Sequence, residues 1–228
     1  MSVRGVFVTG TDTGVGKTLV ASGLLHGLTG RGLRTAGMKP VATGCVRTPD
    51  GLRNDDALCL ARYASAPADY AEINPYAFEP AIAPHLAATD AGVRMDLDRI
   101  ADAFDGLARR ADCIVVEGVG GWRVPINERD DVADLAVRLG LPVVLVIGVR
   151  LGCLNHARLT AAAIAQSGLS WAGWVASCID AQMPWLRENL DALEQLLPAP
   201  RLGTLPFFTA ASVEQASDHL HKALALLA

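Results

Sequence analysis

The sequence has few cysteines, few charged residues and no long hydrophobic run, and each shortage excludes a class of protein. The five cysteines are scattered, odd in number and without a CxxC pair, which argues against a disulfide framework and against a zinc site. The five histidines also lack metal-ligand spacing. The longest strongly apolar run, residues 141–149, is too short to span a bilayer, so we expect no membrane segment.

The charge balance argues against a nucleic-acid partner. Only 19% of the residues are charged, the formal net charge is -4, and no basic tract offsets this acidity. The N-terminus enters a glycine-rich loop without room for a signal peptide, so we expect a cytoplasmic protein. The 228 residues are enough to bury a sizeable core, and no linker divides them, so we expect a single domain over residues 1–228.

A glycine-rich stretch near the N-terminus, VFVTGTDTGVGKT at residues 6–18, has the chemistry of a phosphate-binding loop. A strand, a glycine-rich turn and a following helix aim successive backbone N–H groups at one point, while Lys17 adds a cation and Thr18 a hydroxyl for Mg²⁺. Five residues separate Gly10 from Gly16, one more than in the standard pattern. The alternative is an ordinary turn followed by a surface lysine, but the apolar strand before it and the helical spacing after it favour a phosphate site.

Further apolar segments alternate with helical ones along the chain. They span residues 34–39, 113–117, 142–148 and 171–176. Such alternation is typical of parallel strands joined by right-handed crossovers. The sequence therefore predicts an α/β, P-loop NTPase-like fold with a mostly parallel open sheet and helices on both faces. The segment 65–95 is rich in Ala and Pro and weakly periodic, so we expect a long excursion over the surface.

Several polar residues fall at the carboxyl ends of predicted strands, where ligands gather in such sheets. Glu117 suits Mg²⁺, although it could instead cap the following turn. Asp55 and Asp56 open a helix, where they either complement the helix dipole or reach the metal. Lys39 would place a second cation beside Lys17, which suits a reaction joining two anions because cations must neutralise both.

Several motifs, taken in order, resemble the dethiobiotin synthetase family. They are GTDTGVGKT, MKPVATG, GLRNDDAL, NPYAFEPAIAPH, VEGVGGW and GVRLGCLNHARLTAAAI, and the resemblance runs from residue 5 to about 176. The longer phosphate loop is itself a feature of that family. The resemblance implies an ATP- and Mg²⁺-dependent ligase of biotin biosynthesis that converts 7,8-diaminopelargonate and CO₂ or bicarbonate to dethiobiotin, ADP and phosphate. It also implies a homodimer whose active sites are shared between subunits.

The resemblance further assigns roles to residues at matching positions. Those implied to bind the nucleotide are Thr13, Gly14, Val15, Gly16, Lys17, Thr18, Ser177 and Pro206. Those implied around Mg²⁺ are Thr18, Asp56 and Glu117. Catalysis is implied for Lys39, Lys17 and Thr43. Those implied near the substrate are Thr13, Lys39, Thr43, Val119, Gly120, Gly121, Leu151, Gly152, Cys153, Leu154 and Asn155.

The sequence departs from the family pattern at three of its positions. Thr43 replaces a serine and keeps the hydroxyl. Ser177 stands where some members have an asparagine that reads the adenine, which leaves the base selectivity open. Asn189 stands where some members have a tyrosine near the substrate carboxylate.

Two other functions are compatible with a phosphate loop. Partition and septum-placement ATPases share this kind of sheet and dimerise around ATP, but they carry an additional lysine near the start of the loop, where this chain has GTDT at residues 10–13. A small-molecule kinase would transfer phosphate to a hydroxyl and need no CO₂.

Overall fold

The computed structural model describes residues 4–227. Its strands are, in chain order, β1 Arg4–Gly10, β2 Thr35–Met38, β3 Val41–Ala42, β4 Val46–Thr48, β5 Gly51–Arg53, β6 Tyr76–Ala77, β7 Cys113–Glu117, β8 Val143–Val149, β9 Trp171–Cys178 and β10 Arg201–Leu205. Its helices are α1 Lys17–Gly30, α2 Asp55–Tyr63, α3 Tyr70–Ile73, α4 Pro84–Asp90, α5 Leu97–Ala108, α6 Val132–Leu139, α7 Cys153–Gln166, α8 Leu186–Leu196, α9 Val213–Asp218 and α10 His221–Leu227. Within the described range, no helix is both long enough and apolar enough to cross a membrane.

The central sheet has six strands in the order β10-β9-β8-β1-β7-β2, and all its pairs are parallel. The predicted mostly parallel sheet is therefore confirmed. Strand β1 lies between β7 and β8. Strands β7 and β2 lie on one side of β1, and strands β8, β9 and β10 lie on the other, so the strand order changes direction at β1. In open α/β sheets, a crevice forms outside the carboxyl end of the strands at such a switch point.

Both faces of the sheet are covered, as the alternating pattern predicts. Val6 and Val8 of β1 are buried in a hydrophobic cluster with side chains from α1, α2, α9 and α10. Phe7, between them, points to the opposite face and joins a cluster with side chains from α5, α6, α7 and α8. Successive side chains of a strand point to opposite faces of the sheet, so the position of a residue along the strand determines which of the two clusters it joins.

The segment 65–95 is not the surface excursion that its composition suggested. It contains α3, β6 and α4, and β6 pairs in parallel with β3. Tyr76, Phe78 and Met95 are buried and belong to the hydrophobic cluster beneath the sheet. The expectation is wrong because the elements are too short to show periodicity, while single side chains at irregular intervals still reach the core.

Candidate active site

The glycine-rich loop connects the end of β1 to the start of α1 and curls tightly around the helix N-terminus. Gly16 is the N-cap of α1 and has φ 91°, a left-handed conformation that favours glycine. A Cβ at this position would lie only 2.8 Å from Ser177 Oγ. Glycine is thus required both by the backbone and by the space, and the unpaired amides of the first turn of α1 remain available to an anion.

The loop is fastened to the neighbouring strand β8. The backbone N–H of Thr11 donates to Val146 O at 3.0 Å, and its side-chain hydroxyl accepts from the Gly148 N–H at 3.3 Å. Asp12 pairs with Arg150 at 2.8 Å, just after β8 ends. Arg150 was not among the predicted site residues, although it lies within the motif GVRLG; its contact fixes the loop rather than a ligand.

A compact cluster of charges lies at the carboxyl ends of β2 and β7. Lys39 Nζ is 2.6 Å from Glu117 Oε1 and 2.8 Å from Asp56 Oδ2. Thr18 Oγ1 is 2.8 Å from Asp56 Oδ1 and 2.9 Å from Glu117 Oε1. The neighbouring Asp55 is exposed, so Asp56 is the member of the acidic pair that faces the candidate site.

Burial and charge shift the pKa values of these groups in different directions. Burial raises the pKa of Glu117 above its ordinary value. Burial opposes the charge of Lys39, but attraction to Glu117, followed by attraction to Asp56, outweighs it and raises the pKa of Lys39. Burial also opposes the charge of Asp56, but attraction to Lys39 outweighs it and lowers the pKa of Asp56. Burial, followed by repulsion from Lys39, lowers the pKa of Lys17 to about 8.

A cavity of about 880 Å³ opens over the phosphate loop and the charge cluster. The predicted site residues that line it are Thr13, Gly14, Gly16, Lys17, Thr18, Lys39, Thr43, Asp56, Glu117, Val119 and Gly120. The remaining lining residues, which were not predicted, are Leu19, Ala42, Asn54, Ala81, Ile82, Ala83, Pro84 and Val124. Residues 81–84 lie within the motif NPYAFEPAIAPH. The family resemblance therefore pointed to this part of the cavity lining, although it assigned no role to these residues.

Four of the predicted residues do not line this cavity. Val15 is buried, and its side chain would touch a Cβ at Gly10 or Gly148, so only its backbone can serve a ligand. Gly121 packs near the Gly10 carbonyl oxygen. Ser177 is buried next to the phosphate loop at the end of β9, and Pro206 is exposed directly after β10.

The predicted substrate residues 151–155 lie at the start of α7, beyond β8, and do not line the main cavity. Leu154 and Asn155 line a separate cavity of about 540 Å³, together with residues of α7 and α8. Helix α7 begins at Cys153, with Gly152 as its N-cap and no side-chain cap. Asn155 therefore lies within the first turn of this helix. Leu151 is 88% exposed.

The charge cluster has the donors that Mg²⁺ prefers. Two carboxylates and one hydroxyl converge there, and Glu117 Oε2 is buried without a hydrogen-bond partner among the described residues. Residues 4–227 contain no group of three or more His, Cys, Asp or Glu side chains that could cage a metal. Two carboxylates and one hydroxyl suit Mg²⁺, which binds one or two carboxylates and takes its other ligands from water and nucleotide phosphates.

Together, the parallel sheet, the loop at the end of β1 and the acidic strand end of β7 define a P-loop nucleotide-binding protein. A family model described as an AAA domain matches residues 4–215. The chain belongs to the ATP-dependent dethiobiotin synthetase family, as the sequence motifs predicted. It is 53% identical over 220 residues to ATP-dependent dethiobiotin synthetase BioD of Cellvibrio japonicus, covering 96% of each chain. It is 55% identical to the enzyme of that name from Pseudomonas paraeruginosa, covering 94% of each.

Solved structures confirm the fold class at much lower sequence identity. The MinC:MinD cell division complex of Aquifex aeolicus matches with a TM-score of 0.63 at 14% identity, covering 99% of this chain and 96% of the other. A ParA family ATPase from Chlorobium tepidum matches with a TM-score of 0.57 at 14% identity, covering 98% and 93%. At this identity, the likeness concerns the fold alone.

Proposed function

We propose that this chain is an ATP-dependent ligase that closes the ureido ring of dethiobiotin. CO₂ first forms a carbamate on one amine of 7,8-diaminopelargonate, and the γ-phosphoryl group of ATP is transferred to a carbamate oxygen. The neighbouring amine then attacks the carbamate carbon, and phosphate leaves as the second carbon–nitrogen bond forms. The proposal places this chemistry in the cytoplasm, in a single domain over residues 1–228.

The observation that carries the proposal is that two lysines from different parts of the fold line one cavity. Lys17 begins α1 and Lys39 follows β2, yet both line the same space of about 880 Å³. ATP and a carbamate are both anionic, and they repel each other unless cations lie between them. Fixed positive charge is most effective where negative charge develops during phosphoryl transfer.

In this proposal, the phosphate loop and the charge cluster have separate tasks. Lys17 and the backbone of residues 13–18 bind the phosphates, and Lys39, aided by Thr43, holds the carbamate and the transferring phosphoryl oxygens. Thr18, Asp56 and Glu117 would hold Mg²⁺, which would neutralise phosphate charge. Residues 81–84 form an apolar wall on one side of the cavity.

The base and the substrate chain would lie on either side of this centre. Ser177 lies near the end of β9 and Pro206 follows β10, and both would contact the base. Thr13 and the loop 119–121 would contact the diamine. Residues 151–155 would receive the substrate carboxylate from the active site of the second subunit in a homodimer, because this helix start lies apart from the main cavity of its own chain.

The nucleotide-switch alternative has less support than the ligase. The MinD and ParA neighbours are similar in fold only. The chain lacks the additional lysine of those ATPases at residues 10–13, and the relatives that cover nearly its whole length are named dethiobiotin synthetases.

The ligase activity is tested by following the carbon of CO₂. The purified chain is incubated with ¹³C-bicarbonate, 7,8-diaminopelargonate, Mg²⁺ and ATP, and the products are analysed by mass spectrometry. We expect one labelled carbon in dethiobiotin for each ADP released. A chain that consumes ATP and leaves the diamine without labelled carbon would contradict the proposal.

A further inference from the structure

The backbone of Lys39 is held on both sides by the segment that follows α2. Its N–H donates to Ile73 O at 2.8 Å, and its carbonyl oxygen accepts from Asn74 Nδ2 at 2.7 Å. Asn74 is buried, and its Nδ2 also donates to Tyr76 O at 3.1 Å. Both hydrogens of this amide are therefore used, which fixes its orientation against the Lys39 backbone.

The same asparagine is connected to the helix that carries Asp56. Asn74 Oδ1 accepts from the Tyr70 hydroxyl at 3.2 Å, and that hydroxyl accepts from the Asn54 backbone N–H at 2.8 Å. Asn54 is the N-cap of α2, where its Oδ1 accepts from the Ala57 N–H at 3.2 Å. Asp56 lies in the first turn of this helix.

A continuous hydrogen-bonded chain thus joins Lys39 to the start of α2, the helix that carries Asp56. It runs from the Lys39 carbonyl through Asn74 and Tyr70 to Asn54 at the start of α2. The Arg53 guanidinium lies 4.2 Å above the Tyr70 ring and holds the ring in place. Neither Asn74 nor Tyr70 lines the main cavity, so the chain acts from behind the charge cluster.

We propose that Asn74 and Tyr70 are positioning residues that fix Lys39 and Asp56 relative to each other for phosphoryl transfer. This rests on the proposed function, because it assigns Lys39 to the transferring group. A catalytic cation contributes fully only when it is held in the productive geometry, and displacement by about 1 Å can lower turnover about a hundredfold. The hydrogen-bonded chain supplies that constraint, and its members Asn74 and Tyr70 do so without lining the cavity.

The test uses Tyr70→Phe, which removes one hydroxyl and retains the ring. It leaves the Asn54 N–H and Asn74 Oδ1 without their partner. We expect kcat to fall about tenfold, while KM for ATP stays within about twofold because Lys17 and the loop amides are unchanged. Asn74→Ala, which breaks the contact with Lys39 itself, should lower kcat further.

The chain offers a closely matched control in Tyr76→Phe. The Tyr76 hydroxyl also accepts from a backbone N–H at a helix N-cap, that of Asp96 at 2.9 Å, and Arg99 lies 4.7 Å above its ring. The hydrogen bond of this hydroxyl connects to the start of α5 and not to the charge cluster. Tyr76→Phe should therefore lower the melting temperature to a similar extent but leave kcat within about twofold.

A second readout is independent of turnover. Mn²⁺ binding to the nucleotide-free protein, followed by the loss of the free-ion electron paramagnetic resonance signal, should weaken in Tyr70→Phe and not in Tyr76→Phe, since only the former releases α2 and Asp56. Equal kcat values for Tyr70→Phe and wild type, with both folded, would overturn the positioning role. Failure of wild type to make dethiobiotin would instead overturn the proposed function.

Discussion

Lys39 and Glu117 meet at 2.6 Å because β2 and β7 are neighbouring parallel strands in matched register. Met38 pairs with Val116, so the next residue of each strand projects at the same edge of the sheet. The lysine is 3% exposed and the glutamate 1% exposed. A buried pair of this kind contributes little to stability by itself, and removing one partner leaves an uncompensated charge.

Replacing Lys39 by Ala should remove most turnover and leave nucleotide binding largely intact. The residue is assigned to the carbamate and the transferring phosphoryl group, whereas Lys17 and the loop amides remain to hold ATP. Turnover is measured by product formation, and nucleotide affinity by calorimetry.

The matched control for this variant is Lys222→Ala, which removes an exposed lysine of α10. Near-normal turnover in Lys39→Ala would refute the catalytic role. Loss of nucleotide affinity together with loss of folding would identify Lys39 as a structural residue.

Nucleotide affinity of the metal-free protein should fall as the pH rises above about 8. Burial and the charge of Lys39 lower the pKa of Lys17 to about 8, so its ammonium loses the proton through this range while the phosphates of ATP stay ionised. The loss should approach about tenfold for each pH unit until the pKa of the bound complex is reached.

This pH dependence is measured by titrating a non-hydrolysable ATP analogue in the presence of a chelator. The variant Lys17→Met should bind more weakly and lose the dependence. An unchanged affinity of wild type between pH 7.5 and 9.5, values on both sides of the lowered pKa of Lys17, would contradict the assignment of phosphate binding to that ammonium.

Base selectivity should be weak because Ser177 provides a hydroxyl where some family members have an amide. An amide offers a donor and an acceptor in fixed directions, and a hydroxyl offers less directional readout. We expect kcat/KM for GTP and CTP to lie within about tenfold of the value for ATP. A strong preference for ATP that persists in Ser177→Ala would place selectivity elsewhere, in contacts near Pro206.

If the active sites are shared between subunits, two inactive variants should complement each other in a mixed dimer. Lys39→Ala removes the cation from one site, and Asn155→Asp adds a charge at the start of α7 that should repel the substrate carboxylate. In a mixed dimer isolated by two tags, one site collects both lesions and the other has neither. Activity should then recover to roughly half of the wild-type value by two-fold symmetry.

The complementation result is interpreted with each variant dimer alone as the control. If the site were built within one chain, every site of the mixed dimer would carry one lesion. Mixed dimers no more active than the separate variants, with unchanged melting temperatures, would exclude shared sites.

The sequence predicted the parts of the molecule that have strong local patterns. Strand β7 matches the predicted residues 113–117, because four consecutive apolar residues precede Glu117, which ends the strand. Strand β10 was not predicted, since Gly203 and Thr204 interrupt its apolar pattern and its place is set by pairing with β9.

The sequence predicted the site residues that directly follow strands. It predicted less well the contacts that form where distant segments meet. The approach of Lys39 to Glu117 follows from parallel strand order. The residue pattern alone did not separate Asp55 from Asp56; the family resemblance favoured Asp56, and the orientation of α2 brings it to Lys39. The hydrogen bonds from Asn74 to Lys39 join residues 35 positions apart. No local pattern marks such a contact, because it depends on how short elements pack.

The most direct test of the central claim is ADP release by the wild-type chain with each component omitted in turn. We predict release only when ATP, Mg²⁺, 7,8-diaminopelargonate and bicarbonate are all present, because both lysines of the cavity serve a reaction between two anions. Release that requires the diamine and not bicarbonate would indicate a kinase. Release at the full rate without diamine and bicarbonate would contradict the ligase assignment and favour a nucleotide-dependent switch.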